Sequence, residues 1–211
     1  IESEIKYLNF GHDLIFNSNP IYINDNKYWT NYIPKKFFNK IKFTNPKKNI
    51  EEKNNLSPIF VMGLPRSGTT LVESLISSNK RKIDNYGETF IIPNVIKKIL
   101  ENNSDELLLD ISSIKSKVCK EYLKISYNRE MKSTLFVDKT LENIFFIDII
   151  KEIFPLSKII VCERDYFDSF VAIFQQCLQG LSWAHKKSSI LQYIQNFHNF
   201  VKKIKKQKNK N

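Results

Sequence analysis

A chain of 211 residues is long enough for one domain with a substantial core and too short for two ordinary ones. Its 42% hydrophobic and 26% charged residues are within the range of soluble globular proteins. The net charge of +11 is localised, with seven Lys against Glu51 and Glu52 in residues 35–53 and six Lys without an acid in 201–211, so it reads as solvated linker and tail, not as a nucleic-acid or membrane patch.

Residues 1–34 are rich in aromatics and Asn with weak periodicity, and 35–57 are basic and punctuated by Pro. Residues 1–57 are therefore taken as an upstream segment and basic linker. Pro58 opens the first clear element, where Ile59-Phe60-Val61-Met62 is an apolar run suited to a buried parallel strand. From Thr69 to Ser78 the apolar residues Leu71, Val72, Leu75 and Ile76 follow a helical spacing. Pro93 stands near the start of a further helix, Asn94 to Leu100, where its missing N–H costs little. Residues 105–125 read as an amphipathic helix. Leu135-Phe136-Val137 is a second strand, followed by a helix from about Asn143 to Phe154 that Pro155 stops. Phe145 and Phe146 in that helix are expected to pack against the sheet. Lys158 to Cys162 is a third strand, and a helix from about Phe167 to Leu178 ends near Gly180. Phe167, Phe170, Phe174 and Leu178 read as core positions on one face of that helix. A last helix starts near Ser188 and is expected to dissolve into the lysine-rich tail, 201–211. Strands alternating with helices predict an α/β fold, a P-loop-type three-layer sandwich with a central parallel sheet over residues 58–200.

Cys119, Cys162 and Cys177 have neither paired nor metal-ligand spacing and read as reduced thiols of a cytoplasmic protein. His12, His185 and His198 form no metal motif, and no apolar run is long enough to span a bilayer. Ile1 in place of Met, and a Lys- and Asn-rich end, read as a piece cut from a longer chain.

Gly63-Leu64-Pro65-Arg66-Ser67-Gly68-Thr69-Thr70 lies between a predicted strand and a predicted helix. Glycines there let the backbone approach an oxyanion, and the N–H groups of the helix start point at it. The spacing Gly63-x4-Gly68 is that of a nucleotidase P-loop, yet Thr69 stands where Walker A requires Lys. The loop offers Arg66 and two hydroxyls instead. Downstream, Glu88 is a carboxylate a short link beyond the loop's helix, suited to take a proton from a hydroxyl. Lys139 sits at the end of a predicted strand, where open α/β sheets bind ligands. Arg164 follows another, and its planar fork suits a phosphate.

The string PRSGTTL after an apolar strand resembles the 5′-phosphosulfate loop of sulfotransferases that use 3′-phosphoadenylyl sulfate (PAPS). It is most similar to the tyrosylprotein and TPR-linked bacterial branch, and the likeness extends over roughly residues 58–180. Gly87-Glu88-Thr89-Phe90-Ile91-Ile92-Pro93 is similar to a G-E-T-x-x-I-P segment in which the Glu is the general base. Phe90 stands where that branch tends to have a basic residue, which counts against an acidic tyrosine peptide as acceptor. Asp138-Lys139-Thr140 with Asn143 is similar to a D-K-x-P-x-N segment, Leu141 replacing the Pro. Residues 159–165 resemble the 3′-phosphate segment. There Tyr166 replaces a frequent Pro and Ala172 a serine, with Ser169 the nearest hydroxyl. Asp168 fits the R-D-x-x-D pattern of that segment or caps the helix.

The resemblance implies sulfuryl transfer from PAPS to an acceptor hydroxyl on protein tyrosine, a carbohydrate or a small molecule, with no metal and no nucleic-acid partner. Glu88 would be the base and Lys139 would stabilise the developing charge, with Arg66 assisting. Arg66, Ser67, Gly68, Thr69 and Thr70 would hold the 5′-phosphosulfate, and Arg164 with Ser169 the 3′-phosphate. Two alternatives stand beside it. One is a P-loop kinase or NTPase, for which Asp138 is the candidate magnesium ligand. The other is an inactive, truncated sulfotransferase that only binds nucleotide.

Overall fold

A computed structural model describes residues 2–39, 42–44, 56–78, 83–102, 108–131 and 133–208. The basic stretch 35–53 and the tail 201–211 lie partly outside them. The chain forms two compact units, one of Ile1–Asn39, Gly63–Ser67 and Glu163–Asn211, the other of Lys40–Met62 and Gly68–Cys162.

The weakly periodic N-terminal residues are helical: α1 (Glu2–Ser18), α2 (Tyr22–Lys27), a π-helical turn over Tyr28–Tyr32 and α3 (Ile33–Phe38). Their apolar residues do not trace the buried face. On α1 the buried side chains are His12 and Phe16, whereas Tyr7, Phe10 and Leu14 are exposed. A polar residue with distant partners thus takes a core position, and a hydrophobicity pattern misses it.

The second unit contains β1 (Lys42–Thr44), β2 (Ser57–Gly63), α4 (Thr69–Ser77), β3 (Asp84–Gly87) and α5 (Ile91–Asn102). It continues with β4 (Leu108–Asp110), α6 (Ile111–Asn128), β5 (Leu135–Asp138), a 3-10 helix over Leu141–Phe146, α7 (Ile147–Ile153) and β6 (Lys158–Cys162). The central sheet has the order β3-β5-β2-β6, with β5 parallel to both neighbours, so the expected α/β architecture with helices flanking a parallel sheet is the observed one. Phe60, Val61 and Met62 of β2 are fully buried, which is why an interior parallel strand reads as a continuous apolar run. The β3–β5 register shifts between Asn85 and Gly87. This irregularity seats Tyr86 flat on Phe136, ring centroids 4.2 Å apart, and redirects the chain into Glu88.

The predicted helix over 105–125 is corrected: 105–107 lie outside the described residues, and Leu108–Asp110 is a strand paired in parallel with β1. Asp110 ends that strand and caps α6, its carboxylate accepting from the N–H groups of Ser112 and Ser113. Phe145 and Phe146 are buried as expected, although the first turns of their helix are 3-10.

Returning to the first unit, α8 (Tyr166–Gln175) is followed by a 3-10 turn (Ser182–His185) and α9 (Lys187–Lys208). Helix α8 ends at Gln175, not near Leu178 as expected. Of the positions read as its core face, Phe174 is buried, Phe170 and Leu178 are half-buried, and Phe167 is 73% exposed. Helix α9 does not dissolve at residue 201. Its buried Ile190, Tyr193, Ile194, Phe197, Phe200 and Val201 form one stripe, and the helix runs on to Lys208. The core of this unit also includes Trp183 stacked on Tyr193, centroids 3.6 Å apart. Beside it, His12 Nε2–H donates to the Phe174 carbonyl (2.8 Å), which leaves His12 Nδ1 to accept from His185 Nδ1–H (3.1 Å).

Candidate functional site

Every segment singled out from the sequence begins where a strand of the central sheet ends. The loop follows β2, Glu88 follows β3, Lys139 follows β5, and Glu163-Arg164-Asp165 follows β6. Carboxyl ends of parallel strands are where open α/β sheets bind ligands.

In the loop, the Ser67 N–H donates to the Leu64 carbonyl at 3.2 Å and closes a turn with Pro65 second and Arg66 third. Arg66 is held at φ +66°, a position that favours Gly or Asn. Left-handed backbone at a bulky side chain is strain, and such strain gathers at ligand clamps. Gly68, at φ +92°, then turns the chain into α4 without any side-chain cap. Gly68 thus supplies no cap to the first N–H groups of α4, whereas Asp110 and Asp165 cap those of α6 and α8. Arg66 and Thr70 are exposed, Thr69 is buried, and the Ser67 hydroxyl is buried without a partner. In the same unit as Arg66, the Arg164 guanidinium donates to the Arg66 carbonyl at 3.2 Å and lies 3.7 Å from Asp168. Asp168 pairs with Arg164, and the cap of α8 is Asp165, which accepts from the N–H groups of Phe167 and Asp168. The Ser169 hydroxyl is buried without a partner.

In the other unit, Lys139 and Glu88 meet. Lys139 Nζ lies 2.5 Å from Glu88 Oε1, with the lysine side chain 10% and the glutamate 43% exposed. Around them is a network that the sequence did not disclose. Asp138, fully buried, accepts from the Tyr122 hydroxyl (2.5 Å), the Thr89 hydroxyl (2.6 Å) and the Thr140 N–H (2.8 Å). Burial pushes the Asp138 carboxyl up, and its three donors oppose this. Burial, and then the Asp138 charge, push the Tyr122 phenol well above its ordinary value. Both Asp138 oxygens thus accept hydrogen bonds from the protein's own donors.

Glu73 on α4 was also missed. It is 5% exposed, with Oε1 lacking a hydrogen-bond partner, while Leu71 and Leu75 of the same helix are 66% and 62% exposed. Val72 and Ile76 are half-buried, so only part of the apolar stripe on α4 faces inward. Burial raises the Glu73 carboxyl, Lys139 pulls it down, and Glu88 adds to the rise.

Among the described residues, no group of three or more His, Cys, Asp or Glu is disposed to hold a metal ion. No described helix is long and apolar enough to cross a membrane.

Residues 58–209 match the model of the sulfotransferase family. A stretch of 130 residues, 56% of the chain, is 32% identical to an uncharacterized protein of Aquifex aeolicus (strain VF5). That stretch is 17% of the relative's length, so the chain corresponds to a small part of it. No solved structure matches the chain.

Proposed function

Because the chain belongs to the sulfotransferase family, we propose that it transfers a sulfuryl group from PAPS to an acceptor hydroxyl, with Glu88 as general base. The observation that carries this reading is the contact of Glu88 with Lys139, which brings a carboxylate and an ammonium together at the ends of neighbouring strands β3 and β5. As Glu88 takes the acceptor proton, the acceptor oxygen forms a bond to sulfur. The bond from sulfur to the 5′-phosphate oxygen breaks, and adenosine 3′,5′-bisphosphate leaves with its electron pair. Lys139, moving from Glu88 to the sulfuryl oxygens, would free the base and stabilise the charge that develops.

The donor's anionic groups suit the residues present. Helix α4 has no side-chain cap at its N-terminus. In the loop before it, the Ser67 hydroxyl is buried without a partner and Arg66 is exposed. Arg66, Ser67, Gly68, Thr69 and Thr70 are assigned to the 5′-phosphosulfate, and Arg164 with Ser169 to the 3′-phosphate. Arg66 also assists in the transition state. Phe90 in place of a basic residue favours an acceptor other than an acidic tyrosine peptide.

The test is transfer of radiolabelled sulfate from PAPS to phenols, sugars and acidic peptides. Glu88→Gln is expected to lower kcat by about 10²–10⁴-fold, the usual range for general base catalysis. It should leave the affinity for adenosine 3′,5′-bisphosphate nearly unchanged. Tight magnesium-dependent ATP binding without affinity for the bisphosphate would overturn the reading. Binding of the bisphosphate with no transfer to any acceptor would reduce the chain to a nucleotide binder.

A further inference from the structure

We propose that Asp138, Thr140, Thr89 and Tyr122 form a buried clamp that fixes the position of Glu88, and that these four side chains are positioning residues for proton abstraction. The proposal rests on the reading of Glu88 as the base.

The segment that carries Glu88 does not hold its own shape. Gly87 lies at φ +68° and Phe90 at φ +53°, so the chain is left-handed on both sides of Glu88-Thr89. Glycine accepts this conformation freely, but an aromatic residue there is an outlier that persists only where its surroundings over-determine it. Here the surroundings do over-determine it. The Thr140 hydroxyl oxygen accepts from the N–H groups of both Thr89 and Phe90, each at 3.0 Å. The Lys139 N–H donates to the Gly87 carbonyl at 2.9 Å. The Thr89 hydroxyl donates to Asp138 at 2.6 Å while accepting from the Ile91 N–H at 3.3 Å, which ties the segment to the start of α5.

Asp138 joins these parts. One oxygen takes Thr89 and Tyr122, and the other takes the Thr140 N–H. Asp138, Thr140 and Tyr122 are all fully buried, where an unmade hydrogen bond costs most. Thr89 is the weak point, because one hydroxyl links the base segment to the buried carboxylate. Without it, the bonds from Thr140 and Lys139 remain, but the Glu88 segment loses its direct tie to Asp138 and to the start of α5. The carboxylate then samples positions away from the acceptor oxygen, and misplacement by about 1 Å can cost on the order of 10²-fold in rate.

The experiment compares Thr89→Val, which keeps the shape and removes the hydroxyl, with Thr89→Ser, which keeps the hydroxyl. Expected for Thr89→Val is a kcat for sulfate transfer about 10- to 100-fold below wild type, with KM for PAPS and affinity for adenosine 3′,5′-bisphosphate within about twofold. Thr89→Ser should return kcat to within about threefold of wild type, as a hydrogen-bonding role demands. Amide hydrogen exchange at Thr89 and Phe90 should be faster in the Val variant and near wild type in the Ser variant. If both variants lose stability but keep wild-type kcat in the folded protein, the hydroxyl is structural only and the proposal is overturned. If wild type transfers no sulfate, the assignment of Glu88 as base falls. The exchange measurement then decides the clamp alone, and unchanged exchange in Thr89→Val overturns it.

Discussion

Glu73 shows at the scale of one residue how burial can work against a charge. Its carboxyl is raised by burial despite the neighbouring Lys139, so the folded state holds the proton more tightly than the unfolded chain, whose ordinary value is 4.5. Such a group weakens the fold as pH climbs past 4.5 and through the higher folded value. Glu73→Gln is therefore expected to raise stability at pH 8 and to change it little at pH 4, as read by urea denaturation at both values. An equal gain at both would show that charge is not the cause. Nothing in Thr69-Thr70-Leu71-Val72-Glu73 announces this, because the ammonium that attracts Glu73 lies on another element. The placement of Glu88, Lys139 and Arg164 just after strands was legible, because each follows a strand or stands in a recognisable string. Thr89, Tyr122 and Glu73 were not, since hydrogen-bond partners distant in sequence leave no local pattern.

At the level of elements, the turn from β2 into α4 depends on backbone conformation more than on packing. A Cβ added to Gly68 would meet nothing within 4 Å, so space is not what requires glycine there. The φ of +92° is. Gly68→Ala is expected to cost about 1–2 kcal/mol of stability, the left-handed penalty for an L-residue. It should also weaken binding of adenosine 3′,5′-bisphosphate, because relaxation of the turn redirects the first N–H groups of α4. Chemical denaturation and calorimetric titration check the two effects, and unchanged values in both would refute the role given to the turn. The strand, loop and helix here were readable from Ile59 to Ile76, where apolar run, glycines and helical spacing agree. Beyond the reach of such reading were the three-residue pairing of β1 with β4 and the shifted register at Asn85 and Gly87. Partner choice in a sheet is a non-local matter. The length of α9 was written in the stripe from Ile190 to Val201, but the lysines after it suggested a frayed tail.

For the molecule as a whole, the acid response is expected to come in part from the histidine cluster of the first unit. Burial, and then the proximity of His12, lower His185 from 6.5 to about 4. The unfolded chain thus takes up a proton that the folded chain refuses, and stability present above pH 6.5 is lost as pH falls towards 4. The contribution is on the order of 3 kcal/mol across that window. His198, lowered by burial, acts in the same direction. His185→Asn should flatten the pH dependence of denaturation midpoints between 6.5 and 5, and an unaltered slope would exclude this histidine as the cause. The cluster itself was invisible in the sequence, where His12 and His185 are merely far apart. Their separation of 173 positions has one more effect. A ribosome adding about 5–20 residues per second leaves roughly 9–35 seconds between the two histidines. For that time Phe16 and the rest of the inner face of α1 stand without their C-terminal cover, so this face is one a chaperone would need to shield while the rest of the unit is made.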